Sequence, residues 1–94
     1  KRKNMPKPIE VNPRNYKVKS VLFDNGEFSI VIGTWEKKEN VLAMRWNGDD
    51  NEDKGYPKTF GNPMWFIIHG DLKQPIIQSL MINDKEILDK LLLT

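Results

Sequence analysis

Three groups of side chains are placed where they could do chemistry: a run of acids, a single histidine, and three tryptophans with cationic neighbours. The acids lie in Asp49-Asp50-Asn51-Glu52-Asp53-Lys54-Gly55. Asp49, Asn51 and Asp53 repeat the alternating spacing of a calcium-binding loop. However, Lys54 stands where such a loop needs glycine, and Phe60 where it needs a bidentate glutamate. A solvated acidic loop is the better reading. To act as a carboxylate pair these acids would need to be held apart in a cleft, with apolar neighbours to shift their pKa values. Adjacent loop acids have no such setting. His69 is the only histidine and there is no cysteine. Thiol catalysis is excluded, a zinc site lacks ligands, and His69 reads as a polar residue at a strand end. Gly48, Gly55 and Gly61 follow neither the Walker nor the dinucleotide-binding spacing. No cofactor or metal is expected, and the chain does not read as an enzyme. An enzyme would need Asp49, Asp53, Tyr56 or His69 to converge beneath a pocket formed by residues 47–63.

The tryptophans carry more. Trp35, Trp46 and Trp65 all fall in segments that read as strands. Their ordinary role is core packing, because a small domain gains much by burying aromatics. Their functional role would be a stacking platform for nucleic-acid bases, flanked by Lys17, Lys19, Lys37, Lys38 and Arg45. Stacking on an aromatic ring contributes roughly 1–3 kcal/mol per base, so two exposed rings would suffice to matter. Arg45 and Trp46 are adjacent in a strand and face opposite ways. Trp46 is the expected core residue, with Arg45 on the surface.

The elements that must position these residues are legible as hydrophobic patterns. Residues 16–23 alternate in part, Lys17 and Lys19 against Tyr16, Val18 and Leu22, and read as a strand. Asp24-Asn25-Gly26 follows, and Asn-Gly predicts a tight hairpin turn. Residues 27–35 form the partner strand, with Phe28, Ile30 and Ile32 on one face and Ser29, Val31, Gly33 and Trp35 on the other. Gly33 marks a bulge or a close backbone approach. A polar connection over residues 36–40 leads to a third strand, residues 41–46. Residues 47–63 are irregular, and a loop of that length in a compact domain is functional or mobile. Residues 64–69 form a fourth strand. A helix begins at Asp71, as the start of a capping box with Gln74, or at Pro75. A second helix is capped by Asn83, with Glu86 at its third position and Ile87, Leu88, Leu91 and Leu92 along one face. The fold class is α+β: a four-stranded antiparallel meander with one or two C-terminal helices packed on one face, the other face left free.

The chain has 94 residues, with 15 Lys and Arg against 13 Asp and Glu, a net charge of +2. The charge is uneven. Residues 1–15 hold Lys1, Arg2, Lys3, Lys7 and Arg14 against Glu10 alone, so the remaining residues are net acidic by two. Pro6, Pro8 and Pro13 with few apolar residues make residues 1–15 a basic extended arm, and residues 16–94 a single domain. No apolar run approaches the roughly 20 residues needed to span a bilayer. The basic N-terminal residues lack the apolar stretch of a signal peptide. A cytoplasmic setting is the expectation.

Arg45-Trp46-Asn47-Gly48, Gly55-Tyr56-Pro57 and Gly61-Asn62-Pro63-Met64-Trp65-Phe66 together resemble a pattern found in small uncharacterised bacterial proteins, over about residues 41–80. That resemblance implies a shaped loop and no particular function. The order of elements also resembles the single-stranded-DNA-binding domain of the transcriptional positive-cofactor family. Those domains are four-stranded meanders followed by a helix, and they pair into dimers that bind unpaired DNA across their sheets. The alignable parts are residues 29–35, 41–46 and 64–80. The acidic loop and the net-acidic body depart from that family, and phosphate neutralisation dominates such binding.

The leading expectation is therefore a non-enzymatic module that binds single-stranded nucleic acid through Trp35, Lys17, Lys19, Lys37, Lys38 and Arg45, with residues 1–7 adding phosphate contacts. The alternative is a protein-interaction subunit or adaptor. It would dimerise or dock through the free sheet face or the apolar Leu91-Leu92-Leu93 end.

Overall fold

The structure, a computed structural model, describes residues 6–51 and 53–82. Lys1, Arg2, Lys3 and the expected second helix, from Asn83 through Leu93, lie outside the described residues. Strands β1 (Tyr16–Asp24), β2 (Phe28–Trp35) and β3 (Lys38–Trp46) form an antiparallel meander. A small separate hairpin, β4 (Lys58–Thr59) and β5 (Asn62–Pro63), stands inside the expected loop. Strand β6 (Phe66–Ile67) then pairs antiparallel with β3, giving the sheet order β1-β2-β3-β6. Helix α1 (Gly70–Ile82) follows. The fold is the α+β meander with a C-terminal helix that the hydrophobic pattern predicts.

Local chemistry moves several boundaries. The first hairpin has a three-residue connection, because its side chains build the turn. Asn25 Oδ1 accepts from the backbone N–H groups of Glu27 and Phe28, both at 2.9 Å, and Asp24 Oδ1 accepts from Gly26 N–H at 2.9 Å. Asx side chains offer such substitutes for main-chain bonds. The second connection is only Glu36-Lys37, so β3 starts at Lys38 and not at 41. Asn40, at φ 58°, takes up the extra residue where Gly33 faces Val41 and Trp35 faces Lys38. Gly33 is also a close approach: a Cβ there would meet the Lys17 carbonyl and the Tyr16 ring. The fourth strand is short at its start because Met64 is held elsewhere: its N–H donates to the Pro57 carbonyl at 2.9 Å and its carbonyl accepts from Arg45 at 3.0 Å. The helix starts before both expected positions, with the His69 ring accepting from Asp71 N–H at 3.1 Å and the His69 carbonyl accepting from Leu72 N–H at 2.9 Å.

The alternation of faces holds, but neither face is free. On one, Ile30, Leu42 and Ile68 are buried, with Ile32, Met44 and the helix residues Ile76, Ile77 and Leu80 packed against them. On the other, Tyr16, Val31, Ala43 and Trp65 are buried together with Val11. Val11 belongs to the segment read as an extended arm. From Pro6 onward that segment is instead a cover for the sheet, with a 3-10 turn at Pro8–Glu10. The Trp65 indole N–H donates to the Val11 carbonyl at 2.6 Å, and Val18 N–H donates to Asn12 Oδ1 at 2.7 Å. Two apolar residues, Pro8 and Val11, and a few main-chain anchors are enough to dock it. No helix among the described residues is long and apolar enough to cross a membrane.

Candidate functional site

Two of the sequence expectations exchange places. Arg45, expected on the surface, is 2% exposed; Trp46, expected in the core, is 55% exposed. The parity between them is right and the assignment of faces is reversed. The reason is the loop after β3, which folds over the Arg45 side and supplies it with acceptors. The guanidinium donates to the carbonyls of Trp46 at 3.2 Å and Met64 at 3.0 Å, and closely to that of Lys54. It also lies 5.9 Å from the centre of the Trp65 ring, in cation–π range. Burial lowers its pKa from 12.5 to about 10, so it remains charged at neutral pH. With these donors committed to main-chain carbonyls, Arg45 is a staple for the loop and is not placed to contact a surface ligand.

Asn47 is a second rivet. Buried, it accepts from Ser29 Oγ at 2.5 Å and donates through Nδ2 to Asp24 at 3.0 Å, while its backbone N–H donates to the Glu27 carbonyl at 2.7 Å. Gly55, at φ 72°, lies so close to Trp46 O, Arg45 Nη2 (2.5 Å from an added Cβ) and Asn47 that no side chain fits. The Arg45-Trp46-Asn47-Gly48 and Gly55-Tyr56 segments are thus one clasp. Trp46 and Tyr56 exchange backbone hydrogen bonds at 2.8 and 3.0 Å, which makes Tyr56 an extra rung beside β3.

The clasp leaves an aromatic row on the helix-bearing face, beyond the helix contacts. Phe28 faces Trp46 across β2–β3, their rings 4.8 Å apart at 73°. Tyr56 flanks Trp46 on the other side and is 66% exposed. Phe66, paired with Met44, is 62% exposed nearby on that face. Glu27 and Asp49 line a cleft of about 290 Å³ with Trp46, Tyr56, Gly48 and Gly55. Asp49 accepts from Asn51 N–H at 2.9 Å, which shapes the acidic loop. Hydrophobic patches of this kind, fixed by rigid elements and rimmed by charge, mark interaction surfaces.

The expected lysines gather at the opposite end of the sheet. Trp35 is half-buried against the core, with Lys38 Nζ 5.8 Å from its ring centre. Lys37 is exposed in the turn. Lys19 Nζ donates to Asn40 Oδ1 at 3.3 Å. Lys17 Nζ donates to the carbonyls of Asn12 and Pro13, at 3.0 and 2.7 Å, and so ties down the N-terminal cover. Trp35 and Lys38 share a cleft of about 810 Å³ with Asn40, His69 and Lys73, a lysine the sequence reading did not single out. Five lysines against Glu36 and Glu39 make this end basic. Asp24, Glu27, Asp49 and Asp50 make the far end acidic. The eight residues of β2 separate them by roughly 23 Å.

Asp49, Tyr56 and His69 are not brought together, since His69 lines the Trp35 cleft and the other two line the Trp46 cleft. Phe28 and Phe66 were missed as candidates, and Tyr56 was weighed only for a catalytic pocket. Phe28 meets Trp46 only because the extra residue at Asn40 shifts the β2–β3 register by one, which strand parity does not announce. Nothing local could have placed Tyr56 there. In comparisons with known proteins, no family model, no curated protein and no solved structure matches the chain.

Proposed function

We propose that this chain is a binding module that docks a protein partner on the aromatic row of its sheet, without catalysing a reaction. The observation that supports this is the set of rings from Phe28, Trp46, Tyr56 and Phe66 on one face, three of them more than half exposed, held by buried polar rivets and not by a soft loop. Glu27 and Asp49, which line the cleft beside Trp46 and Tyr56, disfavour phosphate, which nucleic-acid affinity depends on. They favour a partner segment with basic residues.

A second reading keeps single-stranded nucleic acid as the ligand, at the other end. It is favoured by the Trp35 cleft with Lys38 and Lys73, where a base could stack and a phosphate be met. Lys37 and Lys19 stand beside that cleft. Against it, Trp35 is half-buried and several of the lysines already have acceptors in the fold.

The two readings separate in one titration. The heat of binding is followed by calorimetry while a basic peptide, an acidic peptide or an unpaired oligonucleotide is added at low and moderate salt. The basic peptide is expected to bind, and Trp46→Ala to weaken it about 30-fold, the effect of losing about 2 kcal/mol at an interface anchor. No peptide binding at millimolar concentration, or binding unchanged in Trp46→Ala, overturns the first reading. An oligonucleotide whose binding is lost in Lys37→Ala/Lys38→Ala, and retained in Trp46→Ala, establishes the second.

A further inference from the structure

We infer that the cleft between Trp46 and Tyr56 is a recognition site for an organic cation, an ammonium or guanidinium group carried on a flexible stem. This deepens the proposed docking surface and rests on it for the source of the cation. The cleft has two chemistries that converge on such a group. Its aromatic lining is Trp46, the ring type that attracts cations best, and Tyr56. Its charged lining is Glu27 and Asp49, carboxylates that add full negative charge to the ring quadrupoles. Two glycines, Gly48 at φ 123° and Gly55 at φ 72°, complete the lining with backbone.

The volume, about 290 Å³, lies at the low end of ligand pockets. It suits the head of a side chain or a small ammonium compound, and is small for a nucleobase with its sugar. An inorganic cation is the poorer fit. Calcium asks for six to eight oxygens and magnesium for an octahedral set, whereas only two of the six lining residues, Glu27 and Asp49, bring carboxylates. An anion would meet two carboxylates.

The site is built before any ligand arrives. Trp46 and Tyr56 are locked to each other by a reciprocal pair of backbone hydrogen bonds, and the edge contact with Phe28 steadies the indole. The Glu27 backbone is fixed by the bond from Asn47 N–H and by the Asn25 side chain. The ordering that binding usually requires has largely been done by folding.

The test uses the full chain and two matched pairs of probes. Choline is compared with 3,3-dimethylbutan-1-ol, its neutral carbon isostere. A capped pentapeptide centred on lysine is compared with the same peptide centred on norleucine. Binding is read from chemical-shift changes of the Trp46 indole. Each cation is expected to bind at least tenfold more tightly than its neutral partner, with Glu27→Gln and Asp49→Asn each removing most of that preference. Equal binding of the cationic and neutral members of both pairs, or no binding of either cation at tens of millimolar, overturns the inference. If the peptides bind through Trp46 regardless of charge, the cation site fails while the docking surface stands. If choline binds and the lysine peptide gains nothing over it, the cation site stands and the protein-docking reading fails. Because Trp46 is exposed and its neighbours Glu27 and Asp49 are surface residues, the variants are expected to fold, which unchanged melting confirms.

Discussion

Replacing Arg45 separates a staple from a ligand contact. In Arg45→Met the side-chain volume is nearly kept and the hydrogen bonds to Lys54 O and Met64 O are lost. Each is a bond from a charged donor to a carbonyl distant in sequence, worth about 1.5–3 kcal/mol. Together they would amount to about 3–6 kcal/mol, less the relief of no longer holding a guanidinium away from water, which offsets part of the loss. The net expectation is a destabilisation of about 2–4 kcal/mol, and for a domain of this size about 10–25 °C in melting temperature. Arg45→Lys should recover less than half of the loss, because a single ammonium cannot span carbonyls that the planar fork reaches together. Thermal and urea unfolding measure the size of the effect. Amide hydrogen exchange measures its place: the paired N–H groups of Trp46 and Tyr56 should lose protection before those inside β2. If Arg45→Met melts within about 3 °C of the parent, well below the expected range, the stapling account is wrong. If it melts normally but loses a ligand, Arg45 is a contact residue after all.

Two further outcomes are expected. Gly55→Ala should cost well over the ~1–2 kcal/mol of a left-handed alanine, because its Cβ also runs into the Trp46 carbonyl and the Arg45 guanidinium. Gly61→Ala, at φ 78° with nothing within 4 Å, should cost only that backbone penalty, so equal melting of the two variants would contradict the clasp. Tyr16 gives a pH signature. Burial pushes its phenol well above the usual value of 10.0, and its hydroxyl donates to Val41 O at 2.6 Å. The folded chain therefore keeps this proton where the unfolded chain loses it. The stability from Tyr16 is complete below pH 10 and falls above it, by up to about 1.4 kcal/mol per pH unit. Comparing melting of the parent and Tyr16→Phe from pH 8 to 11.5 isolates this term. The phenylalanine variant should start less stable, by about 1–3 kcal/mol for the unpaired carbonyl, and lose less as the pH rises.

A bipolar surface gives these chemistries room to coexist. The lysine end and the acidic aromatic end sit at opposite ends of β2, so a ligand drawn to one is repelled by the other. Exposed charges of this kind act through about a Debye length, about 8 Å at physiological salt. The ends are thus largely independent, and changes at Lys37 and Lys38 should leave binding at Trp46 untouched.

Part of this fold depends only on neighbours along the chain. Alternating apolar residues set the strands and which residues share a face, Asp24-Asn25-Gly26 set the first hairpin, and the stripe through Ile76, Ile77 and Leu80 set a helix after the sheet. These follow from backbone sterics and a period of two or 3.6 residues. The sequence could not determine which face each set would meet, because that depends on what packs against it. Arg45 and Trp46 show the limit. Composition puts the indole inside and the guanidinium outside, and each preference holds on average. Here the carbonyls of Lys54 and Met64, brought over by the loop, satisfy the buried cation, and helix α1 stops short of covering the indole. The same holds for Val11, one of few apolar residues in a proline-rich segment until Trp65 gives it a partner 54 residues away. Tyr56 entered the aromatic row only through its bridge to Trp46. Local pattern made the parts and their sides; tertiary contact chose which side became core and which became surface.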